Sequence, residues 1–355
     1  MFQPAPDSPP TLHAQPDGLL AKPLAQVRDH LEGLVADYPA EQRHLSEAVG
    51  RLLLHSRADP LSCALPLAVH AALTGAPEPA VPVAAAHDLW WRAANAFDDL
   101  ADDMSEEAAD EAHGTPAMSG TALMTAALEC FHTLPMRILM DVPAAPAVRE
   151  GLLRDLAHGC TRAVDGQLHD LAATPAGATP HTVLAAYRHK SGAPYAMACA
   201  LAARLATGSA EATYGTYGEG TDNAVAEWGR FGELLGLLAQ LRNDYDDLRT
   251  GRFEDFANGT ATYLLVQHLH RVPAPRAERT RALLHRCAED PGSRSDLRDL
   301  LLEPEALHAY REYVHELRHA AEDLLGRLAT PGPFAAYLRE QVTATAHACL
   351  PAEVP

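Results

Sequence analysis

The chain has 355 residues, enough to bury a large core as one big domain or two smaller ones. Its net charge of −19, with Lys22 and Lys190 as its only lysines, argues against nucleic acid or anionic membranes as partners, since both need a basic face. Ala and Leu are abundant, β-branched runs are nearly absent, and apolar residues recur three and four apart, which predicts an all-α protein.

Residues 1–23 are rich in Pro and polar residues and read as a flexible leader. Helical patterning begins near Leu24 and runs to about Leu350, with a short tail at 351–355. Its breaks fall at Gly75–Pro82, Met104–Pro116, Thr174–Pro180, Gly208–Thr221, Arg249–Gly259 and Asp290–Ser295, most of them punctuated by Gly or Pro. None has the length or composition of an interdomain linker, so residues 24–350 are expected to form one domain. The Tyr/Gly-rich stretch Tyr214–Gly220 reads as a surface connection. Six cysteines stand singly with no C-x-x-C, as reduced core residues of a cytosolic protein would. No signal segment opens the chain, and no apolar run reaches the ~18 residues of a membrane helix. A soluble, cytoplasmic protein is the expectation.

Two acidic clusters carry most of the chemical information. The first, Asp98-Asp99-Leu100-Ala101-Asp102-Asp103, ends the apolar segment from His87. The second, Asn243-Asp244-Tyr245-Asp246-Asp247, follows a predicted helix from Phe231 to Arg242, where Gly232 and Gly236 invite close packing. Helical spacing puts Asp98 with Asp102, and Asn243 with Asp247, on one face. Like charges so placed disfavour a helix by a few tenths of a kcal/mol per pair, and a hard divalent cation gives them a reason. A solvated acidic helix end is the plain alternative for either cluster alone. Together, facing each other, they would hold metal ions that grip a diphosphate. Four and seven residues before Asp98 stand Ala94 and Trp91, one and two turns deeper on the same face, above which the metal site would sit. Asn95, nearby, either steers a cation or is hydrogen-bonded in place.

The order of landmarks resembles the trans-isoprenyl diphosphate synthases, the polyprenyl synthetase family, from about Leu52 to Leu265. Asp98-Asp99-x-x-Asp102 looks like that family's first Asp-rich motif, and Asp88 stands ten positions upstream where an acidic residue is usual. Gly166-Gln167-x-x-Asp170-Leu171 resembles its G-Q-x-x-D-L helix, and Lys190-Ser191-Gly192 its K-T-G. Gln240 and Asn243-Asp244-x-x-Asp247 fall where the family has Q-x-x-D-D-x-x-D; Asp255 and Asn258-Gly259-Thr260-Ala261-Thr262 echo D-x-x-x-G-K-x-T. The resemblance implies a large antiparallel all-α bundle of the isoprenoid synthase type with a central cavity. It further implies a homodimer and a cluster of three Mg2+ ions. The metal ligands carried over are Asp98, Asp102, Asp103, Asn243, Asp244 and Asp247, with Asp99 supporting the first cluster. Lys190 would grip the diphosphate, and Gln167, Gln240, Trp91, Ala94 and Asn95 would meet the substrate. Bridging cations and a lysine neutralise charge on a departing diphosphate, and an apolar chamber shields the carbocation left behind. Family members limit chain length with bulk four and five positions before the first motif. Here those positions are Ala94 and Ala93, with Trp90 and Trp91 below as a floor, which predicts a C15 or C20 substrate.

Departures from the pattern narrow the reaction. The basic G-K-x-x-R-P segment of chain-elongating members is matched by Leu54-His55-Ser56-Arg57-Ala58-Asp59-Pro60, and R-R-G by Ala112-His113-Gly114. The later lysine is Thr260, and no Arg lies between Asp103 and Arg137. A second diphosphate without basic partners would carry unpaired charge. A class I terpene synthase, ionising one allylic diphosphate, is therefore the expected activity. Alternatives are chain elongation through displaced contacts such as Arg57, Arg188 or Arg252, prenyl transfer to another acceptor, or a non-catalytic regulatory subunit.

Overall fold

Prolines and capping side chains cut the chain into helices, and the computed structural model describes residues 18–55, 60–101, 120–175, 177–210, 223–287 and 290–350. In order these are α1 (Ala21–Ala36), α2 (Arg43–His55), α3 (Pro60–Thr74), α4 (Val81–Ala101), α5 (Gly120–Leu128), α6 (Leu134–Asp141), α7 (Pro146–Ala172) and α8 (Pro180–Tyr187). They continue with α9 (Ala193–Thr207), α10 (Ala224–Thr250), α11 (Glu254–Ala257), α12 (Tyr263–Arg271), α13 (Ala274–Arg286), α14 (Pro291–Leu301), α15 (Pro304–Leu328) and α16 (Pro333–Ala348). No strand occurs among the described residues, as the composition predicts. No described helix is long and apolar enough to cross a membrane.

Local chemistry sets the boundaries. Thr179 and Thr182 form a reciprocal capping box at the start of α8, while Asn223, Thr262 and Asp290 cap α10, α12 and α14. Proline occupies the first turn of α6 to α9 and of α13 to α16, where its missing N–H costs nothing. The stretch expected as a break at Asp290–Ser295 is instead a helix start, because the Asp290 carboxylate accepts from the N–H groups of Gly292 and Ser293. The second acidic cluster is likewise inside a helix. Helix α10 runs eight residues past Arg242 to Thr250 and stops only at Gly251, which takes the left-handed conformation.

Helix α9 is the hub: from Ala193 to Arg204 every residue is buried, and α3, α7 and α10 pack around it. Its alanines let neighbouring backbones come close. Two glycines do the same for the π-helical turn Arg188–Gly192 that joins α8 to α9. A side chain at Gly166 of α7 would collide with the Lys190 backbone, and one at Gly236 of α10 with the Ser191 carbonyl. That turn is therefore clamped between α7 and α10, with Lys190 at its centre. The pairing of Gly232 and Gly236 anticipated for close packing works as expected, Gly232 lying against the Tyr195 backbone on α9.

Of the expected leader, residues 1–17 lie outside the described residues, but Ala21–Pro23 already belong to α1 and Leu20 is buried, so the packed fold begins before Leu24. The tail 351–355, the break Met104–Pro116, the stretch Tyr214–Gly220, Arg57, His113, Asp102 and Asp103 also lie outside the described residues, and Asp99 lies in α4 with its side chain outside them.

Candidate active site

The site gathers where the C-terminal half of α4, the end of α7, the clamped turn and α10 meet. On α4, Trp91, Ala94, Asn95 and Asp98 recur at helical spacing and stay half-buried, whereas Leu89, Trp90, Ala93 and Ala96 are buried. The α4 face expected to line a chamber is thus the one left partly open. Trp90 and Ala93 do not share it. Trp90 packs in the core against Phe131, ring centroids 5.3 Å apart, while Trp91 meets Tyr195 of α9 edge-on at 5.4 Å. Of the two tryptophans expected to form a floor, Trp90 is in the core and Trp91 lies on the half-buried face.

Asp98 and Lys190 come together as expected. Asp98 Oδ1 accepts from Gln167 Nε2 at 2.7 Å and lies 3.3 Å from Lys190 Nζ, and Lys190 bonds Asp170 Oδ2 at 2.6 Å. One ammonium bridges α4 and α7. Burial works against that charge, but Asp98 and Asp170 outweigh it and hold Lys190 above its usual range. His189, next to it, bonds Asp165 instead and faces away from this pair.

On α10 the inward stripe is Gln240, Asp244 and Asp247, at four and three residues' spacing. Asp244 is 7 % exposed, with Oδ1 accepting from Gln240 Nε2 at 2.7 Å and Oδ2 accepting from the Tyr187 hydroxyl. Ser191 Oγ donates to Gln240 Oε1, so the clamped turn supports this carboxylate from two sides. Asp247, also buried, accepts from the backbone N–H groups of Glu254 at 3.0 Å and Asp255 at 3.4 Å. Asn243 is exposed to solvent, one residue outside the stripe.

Burial pushes Asp244 up to about 7, against the pull of Tyr187 and Gln240. Burial and then the charges of Asp244, Asp247 and Asp170 push Asp255 up to about 8. Asp255 Oδ2 is buried with no hydrogen-bond partner. Asp98, Asp170, Asp244 and Asp255 thus bring more negative charge than Lys190 can offset, with one carboxylate oxygen left unsatisfied. Oxygen donors of this kind suit hard divalent cations. Among the described residues no three acidic, His or Cys side chains already converge on one point, since Lys190 stands between Asp98 and Asp170.

Two basic groups that could receive a second diphosphate, Arg92 and Arg252, are paired with carboxylates, while Arg188 sits half-buried on the same turn as Lys190. Arg92 on α4 bonds Asp88 at 2.7 Å and the Leu53 carbonyl at 2.9 Å, and Asp88 is completed by Ser62 Oγ at 2.7 Å. Arg252 lies 3.8 Å from Asp247 and 3.4 Å from Glu254. Three residues of the site were not singled out as such by sequence reasoning. Asp170 and Asp255 carried a motif signal; Tyr187 carried none, being an apolar-looking residue three positions before Lys190.

No protein-family model matches the sequence, and no curated protein matches it significantly. Solved structures do. A decaprenyl diphosphate synthase from Rhodobacter capsulatus superposes with a TM-score of 0.74 at 16% identity, over 93% of this chain and 97% of that one. A geranylgeranyl pyrophosphate synthetase from Pyrococcus horikoshii gives 0.74 and 16%, again over 93% and 97%. A polyprenyl synthase from Caulobacter crescentus, complexed with calcium and isoprenyl diphosphate, gives 0.73 and 18% over 93% and 95%. At these identities the likeness is one of fold, and it spans nearly the whole chain: this protein has the all-α isoprenoid synthase fold of the trans-prenyl diphosphate synthases.

Proposed function

We propose that the protein ionises an allylic prenyl diphosphate of C15 or C20 length in a Mg2+-dependent reaction, as a class I terpene synthase built on the prenyl synthase scaffold. The observation that carries this reading is an asymmetry of charge. Lys190 is shared between the carboxylates of Asp98 on α4 and Asp170 on α7, beside a cluster of buried carboxylates, while Arg92 is tied to Asp88 and the Leu53 carbonyl.

Asp98, Asp102, Asp103, Asp244 and Asp247 are the residues proposed to hold metal, joined by Asp170 and Asp255 on the geometry above; Asn243, expected to share a face with Asp247, is exposed outside the inward stripe of α10 and is left out of this set. Three Mg2+ ions would supply electrostatic neutralisation of the departing diphosphate. Lys190 turns from Asp98 and Asp170 to the incoming diphosphate, releasing both carboxylates as it does so. Gln167 and Gln240 then keep Asp98 and Asp244 in place. Trp91 offers a ring face to developing positive charge, Ala94 leaves room for the chain, and Asn95 orients the reacting end.

Chain elongation is the second reading, favoured by the fold shared with chain-elongating synthases. Purified protein with Mg2+ and C10, C15 and C20 allylic diphosphates, each with and without isopentenyl diphosphate, separates the two. A hydrocarbon or alcohol formed without isopentenyl diphosphate supports the terpene synthase. Longer prenyl diphosphates formed only in its presence overturn it, and no Mg2+-dependent binding at all would leave a regulatory subunit.

A homodimer is part of the proposal. Met124 and Leu128 on α5, Met136 and Met140 on α6, and Val164, Leu168 and Leu171 on the adjoining α7 are 42–62% exposed. Leaving that much apolar surface to water is costly unless a partner covers it. Sedimentation of wild type against Leu168→Glu tests it; a wild-type monomer would rule the dimer out.

A further inference from the structure

Tyr187 is the last residue of α8 and only 2% exposed. Its hydroxyl donates to Asp244 Oδ2 and accepts the Tyr263 backbone N–H at 3.0 Å, so a single oxygen links α8, α10 and the first residue of α12. The π-helical turn that follows directs Lys190 to Asp98 and Asp170, and Ser191 to Gln240. Three side chains within five residues therefore address both acidic helices.

A carboxylate has about four lone-pair sites on its two oxygens. Gln240 takes one on Oδ1 and Tyr187 one on Oδ2, which fixes the plane of the carboxylate and leaves each oxygen with a second site. Asp247 is oriented in a different way, by backbone N–H groups at the start of α11. Asp244 has no backbone support of that kind among its hydrogen bonds, and without Tyr187 only the flexible Gln240 amide would hold it. The phenol is not itself a metal ligand: both its hydrogen-bonding directions are used within the protein.

We propose that Tyr187 is a positioning residue of the second acidic motif, fixing the Asp244 carboxylate in the orientation that serves Mg2+-bound diphosphate and tying it to the start of α12. The inference rests on the proposed function and adds a residue that the acidic motifs do not include. Partners that orient a metal-binding carboxylate or imidazole typically contribute 10–100-fold in metal affinity, about the range expected here.

The test is calorimetric titration of the full chain with Mg2+ and inorganic diphosphate, alongside thermal unfolding without metal. Tyr187→Phe keeps the ring and removes the hydroxyl. It should weaken Mg2+-dependent diphosphate binding by at least ~10-fold while lowering the metal-free melting temperature by no more than ~2–4 °C. Tyr310→Phe is the control. Tyr310 is equally buried and bonds the Leu241 carbonyl on α10, not Asp244, and its loss should leave binding unchanged. Undiminished binding in Tyr187→Phe overturns the proposal, as does an equal loss in Tyr310→Phe. A Tyr187→Phe chain that fails to fold also overturns it, because the hydroxyl would then hold the fold and not the carboxylate. If the wild type itself binds no diphosphate with Mg2+, the functional reading falls first, an outcome distinct from wild-type binding that the variant matches.

Discussion

The two acidic helices carry similar residues in opposite states. At the end of α4, Asp98 is 40% exposed and held by side chains alone, the Gln167 amide and the Lys190 ammonium. On α10, Asp244 and Asp247 are 7% and 3% exposed, and each is fastened by two donors, among them a buried phenol and backbone N–H groups. Of the first motif, Asp98 is half-exposed and tied only by side chains; the carboxylates of the second are buried and preorganised. A site that must admit a diphosphate and then close around it needs one of each. In the proposed reaction the less buried partner would neutralise incoming charge, and the buried one would fix where a metal could bind. Burial of the fixed partner has a cost, visible as carboxyl groups held above their ordinary range.

Removing a carboxylate from each side gives the largest expected effect and separates the two. Asp98→Ala and Asp244→Ala should each lower turnover by ~10²–10³-fold or more. Their stabilities should diverge. Asp98→Ala touches half-exposed partners and should change unfolding free energy by less than ~1 kcal/mol, with Lys190 keeping Asp170. Asp244→Ala strands the Tyr187 hydroxyl and one Gln240 amide, and at pH 5 should cost ~1–3 kcal/mol. Denaturant melts of both variants decide it; equal stabilities would erase the distinction between a movable and a fixed motif.

Lys190→Ala comes next. It removes the charge that bridges Asp98 and Asp170 and the group proposed to receive the diphosphate, so diphosphate binding should weaken by ~10²-fold. Unchanged affinity in a binding titration would take Lys190 out of the site.

The fixed motif should also betray itself through pH. Asp244 and Asp255 have folded-state pKa values of about 7 and about 8, above the ordinary carboxylate value. The folded chain therefore binds more protons than the unfolded one between about pH 4 and 8. Without metal, stability is greatest below that window and declines as pH rises through it. Asp255→Asn should flatten the decline in melting temperature between pH 5 and 8, and Mg2+ with diphosphate should counter it. A metal-free melting temperature that rises over this interval would contradict the buried-carboxylate picture.

Much of this was legible from residue types and spacing. The all-α class follows from the Ala/Leu periodicity, and Asp98, Lys190, Gln240 and Asp244 converge as their motifs imply. Gly232 and Gly236 announced the close approach of α10 to α9 and to the turn that precedes it. What spacing could not convey was direction. Asn243 and Asp244 are neighbours in sequence, yet one is exposed and the other buried, because the inward stripe of α10 runs through Gln240, Asp244 and Asp247. Trp90 and Trp91 divide in the same way, one into the core and one onto the half-buried face of α4. Helix ends were misjudged where capping decides them, as at Asp290, where Pro-Gly read as a break but a carboxylate two residues before the glycine nucleates a turn. Tyr187 was invisible because its partner lies 57 residues away and only the fold brings them together.

The smallest effect tests the chamber on the movable side. Ala94 lies between Trp91 and Asp98 on the half-buried face of α4, one helical turn from the carboxylate. On the proposed reading, phenylalanine there would narrow the substrate's path above Trp91 without touching the packed face of Leu89, Trp90 and Ala93. Ala94→Phe should therefore fold normally and keep its metal dependence, while its preference moves toward shorter allylic diphosphates. A contact of this kind changes the ratio of kcat/KM values between substrates by ~10–200-fold per methylene-sized clash. An unaltered ratio between C10 and C20 diphosphates would mean the chain does not run down α4. The open stripe on that helix would then serve the diphosphate end alone.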